Sequence, residues 1–510
     1  MRAVVVAAPA SGSGKTTVAT GLVGALRRVG HRVAPFKVGP DYIDPGYHGL
    51  AAGRPGRNLD PVLVGADRVA PLYRHGARGC DLAVVEGVMG LFDGRIDERY
   101  SGPVAEGSTA QVAGLLGAPV VLVVDARGHS QSLAALLHGF ATFDSGVRLG
   151  GVILNRVGSE RHDQVLRAAC DRVGLPVLGS LPRLAELEVP SRHLGLIPAV
   201  EHGSAATAAV VAMTDLVAAH VDLSAIAALA RSSVTGPAWD PATAVRGPEG
   251  SHDASTGPLL ADSDTRVATL LGGDSCGTAG TLPGGASRPA DESVRDPLAG
   301  RDGPLIAMAG GPAFTFGYAE HRELLVAAGA HVAVFDPLHD ELPTGAAGLV
   351  LPGGFPEEHA AELAANSGLL RGVADAVRHG MPVHAECAGL LYLTRSLDGH
   401  PMAGVVDADA AFGPHLTLGY RDAVALADSP LWRAGERVRG HEFHRTRLVS
   451  EPPRDPAWGW RGATGEPARE GALVRNVHAS YLHTHPAGYP EAVARFVTAA
   501  AEFASSRALG

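Results

Sequence analysis

The stretch Ala8-Pro9-Ala10-Ser11-Gly12-Ser13-Gly14-Lys15-Thr16-Thr17 has the residues to hold a polyphosphate, and Ala385-Glu386-Cys387-Ala388-Gly389 has those to attack a carbonyl. In the first, small residues between a strand-like run and a helix let several backbone N–H groups and the positive helix end converge on one anion. Gly12 and Gly14 keep the loop tight, Lys15 neutralises the β and γ oxygens, Thr16 offers its hydroxyl to magnesium, and Thr17 completes the nucleotide-binding turn. Pro9 stands where GxxxxGK[ST] has its first glycine. A Gly/Ser-rich turn ahead of a chance lysine would look similar, but the preceding strand and a helix expected over residues 16–29, ending at Gly30, favour the phosphate loop.

Magnesium needs further hard oxygens, and two acidic clusters lie where strand ends would deliver them, Lys37 to Pro45 with Asp41 and Asp44, and Glu86 to Gly94 with Asp93. Thr16, Asp44 and Glu86 are the expected metal ligands. Asp41 and Asp93 could equally be turn residues among their glycines and prolines. Glu86 is harder to dismiss, because a carboxylate closing a buried strand is costly without a cation.

The thiol lies in a strand-elbow-helix pattern. Met381 to Glu386 reads as a strand, Cys387 follows it, and a helix starts near Leu390, which exposes a nucleophile and aims a helix N-terminus at it. Ala385 stands where such elbows usually have glycine. The base is expected from Ala479-Ser480-Tyr481-Leu482-His483-Thr484-His485-Pro486, where a strand would point His483 and His485 the same way. Spacing alone does not choose between them. The turn Leu351-Pro352-Gly353-Gly354-Phe355-Pro356-Glu357 offers oxyanion donors, so the amides of Gly354, Phe355 and Ala388 are expected to face the reacting oxygen.

Both sites need sheets to position them. From Arg2 to Arg231 apolar runs such as Val33 to Val38 and Leu82 to Val85 alternate with helical segments, the pattern of a parallel sheet covered on both faces. A second α/β series starts at Pro304, with strands expected at Leu305 to Ala309, His331 to Phe335, Gly348 to Leu351, Pro382 to Glu386, Leu416 to Tyr420, Val438 to Phe443 and Leu473 to His478. The fold class is therefore α/β with two doubly wound domains, residues 1–231 and 304–510. Residues 232–303, rich in Gly, Pro and Ser, read as a flexible linker.

Length and charge agree. The 510 residues exceed the roughly 250 to 300 at which one core stops growing. A net charge of -10 argues against nucleic acid as a partner. No apolar run approaches the roughly 20 residues of a membrane span, and no signal peptide precedes the first strand, so a cytoplasmic location is expected. Cys80, Cys170, Cys276 and Cys387 show no paired spacing and read as reduced thiols.

Three segments together resemble the cobyrinic or hydrogenobyrinic acid a,c-diamide synthase family: Lys37-Val-Gly-Pro-Asp-Tyr-Ile-Asp-Pro45, Glu86-Gly-Val-Met-Gly-Leu-Phe-Asp-Gly94 and Arg192-His193-Leu194-Gly195-Leu196. The resemblance implies a dethiobiotin synthetase-like ATP domain fused to a class I-like glutamine amidotransferase domain. It further implies ATP-dependent transfer of glutamine nitrogen to the a and c acetates of a corrin, through acyl phosphates, in cobalamin synthesis. By the same resemblance Asp41, Asp44 and Glu86 surround metal and acyl phosphate, Asp93 is a family acid, Asn155 reads adenine, and Lys37, Arg192 and His193 meet the anionic macrocycle. His483 is the base by the Tyr-Leu-His-x-His pattern, with His485 as alternate. The expected partners are ATP, Mg2+, glutamine and a corrin, with no nucleic acid and no membrane, and a homodimer is the candidate assembly. Where the family often has an Arg-Asp pair, this chain has Gly310-Gly311-Pro312-Ala313-Phe314. Cobyric acid synthase is the nearest rival. A ParA- or MinD-like ATPase switch is disfavoured, because Ala10 and Ser11 stand where such proteins carry an early lysine.

Overall fold

The structure, a computed structural model, describes residues 1–96, 102–144, 146–183, 191–192, 195–247, 303–449, 453–462 and 465–508. One compact unit takes in Met1–Glu249 and Gly303–Gly510, so both halves of the chain belong to it.

The N-terminal half is a seven-stranded parallel sheet. Its strands are β1 (Arg2–Ala7), β2 (Val33–Val38), β3 (Arg57–Leu59), β4 (Leu82–Glu86), β5 (Val120–Asp125), β6 (Leu149–Val157) and β7 (Val177–Pro182), in the order β3-β2-β4-β1-β5-β6-β7. Successive residues of β1 bury against opposite faces. Val4 and Val6 pack with Val18, Leu22 and Leu26 of helix α1 (Lys15–Arg28), while Ala3, Val5 and Ala7 pack toward Val112 and Leu116. That two-sided burial is why the strands are apolar throughout rather than alternating. Because β1 is central, the ends of β1, β2 and β4 and the starts of α1 and α2 (Asp44–Ala52) gather at one crevice. A short antiparallel pair, β8 (Ser191–Arg192) with β9 (Gly195–Leu196), follows.

In the C-terminal half β10 (Leu305–Ala309), β11 (His331–Phe335), β12 (Ala346–Leu351) and β13 (Val383–Glu386) pair in parallel. A second sheet is mixed: β14 (Ser396–Leu397), β15 (His400–Pro401), β16 (Asp409–Ala425), β17 (Arg437–Leu448), β18 (Trp458–Arg461) and β19 (Pro467–Glu470), with β22 (His483–Thr484) added beside β17. The strand expected over Leu473 to His478 is instead a tight hairpin, β20 (Ala472–Val474) and β21 (Val477–Ser480), which completes the first sheet beside β13. Its turn is Arg475-Asn476, and Arg475 takes a left-handed φ of 55° that no continuous strand allows. The expected strands at Leu416 to Tyr420 and Val438 to Phe443 are segments of the longer antiparallel pair β16 and β17.

Of the segment expected as a linker, residues 232–247 carry a helix, Pro241–Arg246, and a buried tryptophan, Trp239, whose ring meets His75 edge-on. Residues 248–302, with Cys276, lie outside the described residues.

The halves meet through polar pairs, the innermost of them buried. Arg57 of β3 reaches Glu320 at 2.6 Å and also Glu323, His75 lies 2.9 Å from Glu323, and Tyr420 donates to Asp60 at 2.9 Å. Arg439 pairs with Glu106 at 2.8 Å.

Candidate functional site

The phosphate loop leaves β1 and closes on Gly14, whose φ of 94° is left-handed and whose missing Cβ would lie 2.2 Å from Nδ2 of Asn155. Asn155, at the end of β6, donates that amide to the Ser13 carbonyl at 2.9 Å, so its recorded contact is with the loop itself. Its neighbour Arg156 donates to the Gly12 carbonyl at 2.8 Å and to Asp125 at 2.7 Å. Lys15, buried at the first position of α1, donates to the Met89 carbonyl at 2.6 Å. Its pKa is lowered, by burial first and by Lys37 next.

Around Thr16 the predicted ligands come together. The Thr16 hydroxyl lies 2.7 Å from Oε1 of Glu86 and 3.2 Å from Oδ2 of Asp44. Lys37 sits between the same carboxylates, 2.7 Å from Asp44 and 3.0 Å from Glu86, and His48 Nε2 is 2.8 Å from the other Glu86 oxygen. Burial pushes the Lys37 ammonium down, but Asp44 and Glu86 outweigh it and hold the charge. Burial pushes Glu86 up, yet Lys37 and His48 win and keep it ionised. Asp44 is raised, by burial and then by Asp41. A hydroxyl flanked by two carboxylates is a hard-oxygen set suited to magnesium. Among the described residues no three His, Cys, Asp or Glu side chains form a metal cage.

Asp41 and Asp93 take the turn roles. Oδ1 of Asp41 accepts from the amides of Ile43 and Asp44 at 2.8 and 2.9 Å, and Oδ2 of Asp93 accepts from Gly90 at 2.9 Å. Arg192 lies in β8, and His193 lies outside the described residues.

In the other half Cys387 caps the helix Ala388–Leu393 with a φ of 49°, a left-handed conformation that costs a non-glycine residue on the order of 1–3 kcal/mol. Its amide donates to the Ser480 carbonyl at 2.7 Å, which holds the elbow. Burial and then Glu357 push the thiol pKa up, opposed by the amides of Gly354 and Ala388, which point at the sulfur. The third expected donor, Phe355, lies beside Gly354 in the same turn, with its ring edge-on to Phe316. Gly353 must be glycine, because a Cβ there would lie 2.3 Å from Cε1 of His483. The segment replacing the family's Arg-Asp pair packs beneath this turn, with the Ala313 carbonyl 2.2 Å from where a Gly354 Cβ would stand.

His483 and His485 do not share surroundings. His483, fully buried on β22, faces the Gly353 turn and Glu386, whose Oε2 is 3.7 Å from Nδ1. His485 caps the turn Pro486–Gly488, its Nδ1 accepting from Ala487 at 3.2 Å, and its ring lies 4.1 Å from that of Tyr318. Of the two, His483 is the one that faces the Gly353 turn and Glu386. Glu386, named above only as the end of the strand before the thiol, is the acidic neighbour of His483 that sequence reasoning did not assign. The available signal was an acid closing the buried strand β13 immediately before Cys387.

Chemically, one site can hold a nucleotide and a divalent cation beside a fixed ammonium, and the other can run Cys–His acyl chemistry against two amides. The sequence profile of the CobQ/CobB/MinD/ParA nucleotide binding domain matches residues 4–197, and that of the CobB/CobQ-like glutamine amidotransferase domain matches residues 305–490. The chain is 57% identical over 499 residues to the hydrogenobyrinate a,c-diamide synthase of Mycobacterium bovis, covering 98% of each chain. It is 55% identical to the enzyme of the same name from Streptomyces coelicolor, over 97% of this chain and 96% of that one. It is 37% identical to the cobyrinate a,c-diamide synthase of a Synechococcus strain, over 98% of each.

Proposed function

The chain belongs to the hydrogenobyrinate and cobyrinate a,c-diamide synthase family, and we propose from that membership and the geometry of its two sites that it amidates the a and c acetates of hydrogenobyrinate with ammonia from glutamine, driven by ATP. The observation that carries this reading is the pairing, in one compact unit, of the Thr16, Asp44, Glu86 and Lys37 cluster with the Cys387, His483 and Glu386 cluster. The most similar relatives named above bear the hydrogenobyrinate name, which favours the cobalt-free macrocycle over cobyrinate.

At the glutaminase site Cys387 attacks the side-chain amide carbon of glutamine while His483 takes the thiol proton and returns it to the leaving nitrogen. The oxyanion meets the Gly354 and Ala388 amides. Ammonia leaves, and water then frees glutamate from the thioester. At the other site the loop amides and Lys15 hold the β and γ phosphates of ATP, and Lys37 faces the incoming carboxylate. Thr16, Asp44 and Glu86 would hold Mg2+, which when bound supplies charge neutralisation to the phosphates. The carboxylate takes the γ-phosphoryl group, ADP departs, and ammonia displaces phosphate to give the amide. Arg192 and His193 remain candidates for the macrocycle's other carboxylates. The reading includes a cytoplasmic location, where ATP and glutamine are supplied, and a homodimer as the candidate assembly. Among the described residues no helix is long and apolar enough to cross a membrane.

The test is to incubate the purified protein with glutamine, Mg-ATP and either macrocycle and to read product masses. Two successive amidations of hydrogenobyrinate are expected, and no mass change with both macrocycles would defeat the proposal. Cys387→Ala should lose glutamine use but keep amidation with added ammonia, whereas Lys15→Ala should lose both.

A further inference from the structure

Tyr42 belongs to the β2–α2 loop that carries Asp41 and leads into Asp44, yet its ring lies among side chains of the other half. The ring centroid is 5.0 Å from Phe316 in a nearly parallel stack, 4.9 Å from Tyr318 and 5.1 Å from the imidazole of His483. Phe316 is tied in turn to the oxyanion turn, its amide donating to the Gly353 carbonyl at 2.9 Å. Two residues along the loop, Asp44 receives Thr16 and Lys37.

The peptide between ring and carboxylate is stiff. Asp41 accepts from the amides of both Ile43 and Asp44, and Ile43 is buried in the core. A displacement of Asp44 on loading of nucleotide and carboxylate would be passed to Tyr42 and so to His483, since packed elements shift as units rather than deform. Filling a gap between two domains would not require a ring on the imidazole that carries the proton, nor a ring on the loop that carries Asp44.

We propose that Tyr42 is a positioning residue that couples the two sites, seating His483 for glutamine hydrolysis when the Asp44 loop is set by a loaded phosphate site. The inference rests on the function proposed above and adds a device that matches ammonia release to carboxylate activation.

The experiment measures glutamate released and amide formed by the full chain, with and without ATP and macrocycle, and separately measures amidation with ammonia. In Tyr42→Ala the stimulation of glutamine hydrolysis by ATP plus macrocycle should fall roughly 5-fold or more, the low end of usual coupling strengths. The ratio of glutamate to amide should rise above one, while ammonia-dependent amidation persists. Tyr42→Phe keeps the stacked ring and should keep the coupling. If Tyr42→Ala fails to fold, Tyr42→Leu carries the same expectation with less lost volume, and unchanged stimulation and ratio there would overturn the coupling alone. Absence of ammonia-dependent amidation in the unaltered protein would overturn the proposed function, and the coupling with it.

Discussion

Glu386 Oε2 stands 3.7 Å from Nδ1 of His483, although the glutamate immediately precedes the nucleophile in the chain and the histidine lies on β22. The other Glu386 oxygen accepts from the Thr484 amide and hydroxyl at 3.1 and 2.9 Å, and His384 lies 3.3 Å from it. Burial pushes this carboxyl up, but His384 and His483 outweigh it and hold it ionised. In the function proposed above, this fixed anion 3.7 Å from Nδ1 would stabilise the imidazolium formed when His483 takes the thiol proton.

Glu386→Gln is therefore expected to lower glutamine-dependent amidation about 10²-fold, the lower end of the usual worth of an acid–base group. Ammonia-dependent amidation should be unaffected. Parallel assays with the two nitrogen donors check this, and equal losses in both would assign Glu386 to folding instead.

Lys37 tests the other site. Its ammonium is the counterion of both Asp44 and Glu86, and Lys37→Met would leave two buried carboxylates facing each other. Breaking such a pair from one side costs about 3–5 kcal/mol. The variant should melt earlier and lose amidation with glutamine and with ammonia alike, which separates it from Glu386→Gln. Thermal unfolding measured beside both assays decides, and an unshifted melt would show that the carboxylates are relieved in another way.

How much of this was readable in the chain depended on whether chemistry was local. The strand-loop-helix around Lys15 and the elbow at Cys387 are contiguous, so their residue types and spacing announced them. Asp44 and Glu86 were legible because Glu86 ends a strand of the central sheet and Asp44 opens the helix that follows one. Glu386 was hidden although it adjoins Cys387, because its partner is nearly a hundred residues away and appears only when β21 lies beside β13. Tyr42 was quoted within a motif but could not be assigned, since its neighbours Phe316 and His483 belong to the other half. The hairpin at Arg475 was read as one strand because a single left-handed residue leaves no apolar-pattern signal.

Arg57 reports on how firmly the halves hold each other. Its guanidinium is mostly buried and pairs with Glu320 and Glu323, while Glu320 itself is 1% exposed. Arg57→Met should cost about 3–5 kcal/mol by stranding Glu320. Denaturant unfolding followed by far-UV circular dichroism and by tryptophan fluorescence should give separated transitions in the variant where the parent gives one. Coincident transitions would mean that the remaining contacts, Asp60 with Tyr420 and Glu106 with Arg439, keep the halves cooperative.

Acid should weaken the protein through its buried histidines. Burial is the main cause that lowers His441 and His478 to about 3 and His485 to about 4, against an ordinary value near 6.5. A folded pKa below the unfolded one means that the unfolded chain binds the extra protons as pH falls through about 6.5, so stability is full above that pH and declines below it. Each such histidine should remove about 1.4 kcal/mol per pH unit once the unfolded chain is protonated, until its folded pKa is reached. Urea midpoints at pH 7, 6 and 5 should fall with increasing steepness, and His478→Gln, which removes one titrating ring beside Trp458, should flatten the dependence by one proton. A dependence equally steep in His478→Gln would show that this imidazole is already protonated in the folded state.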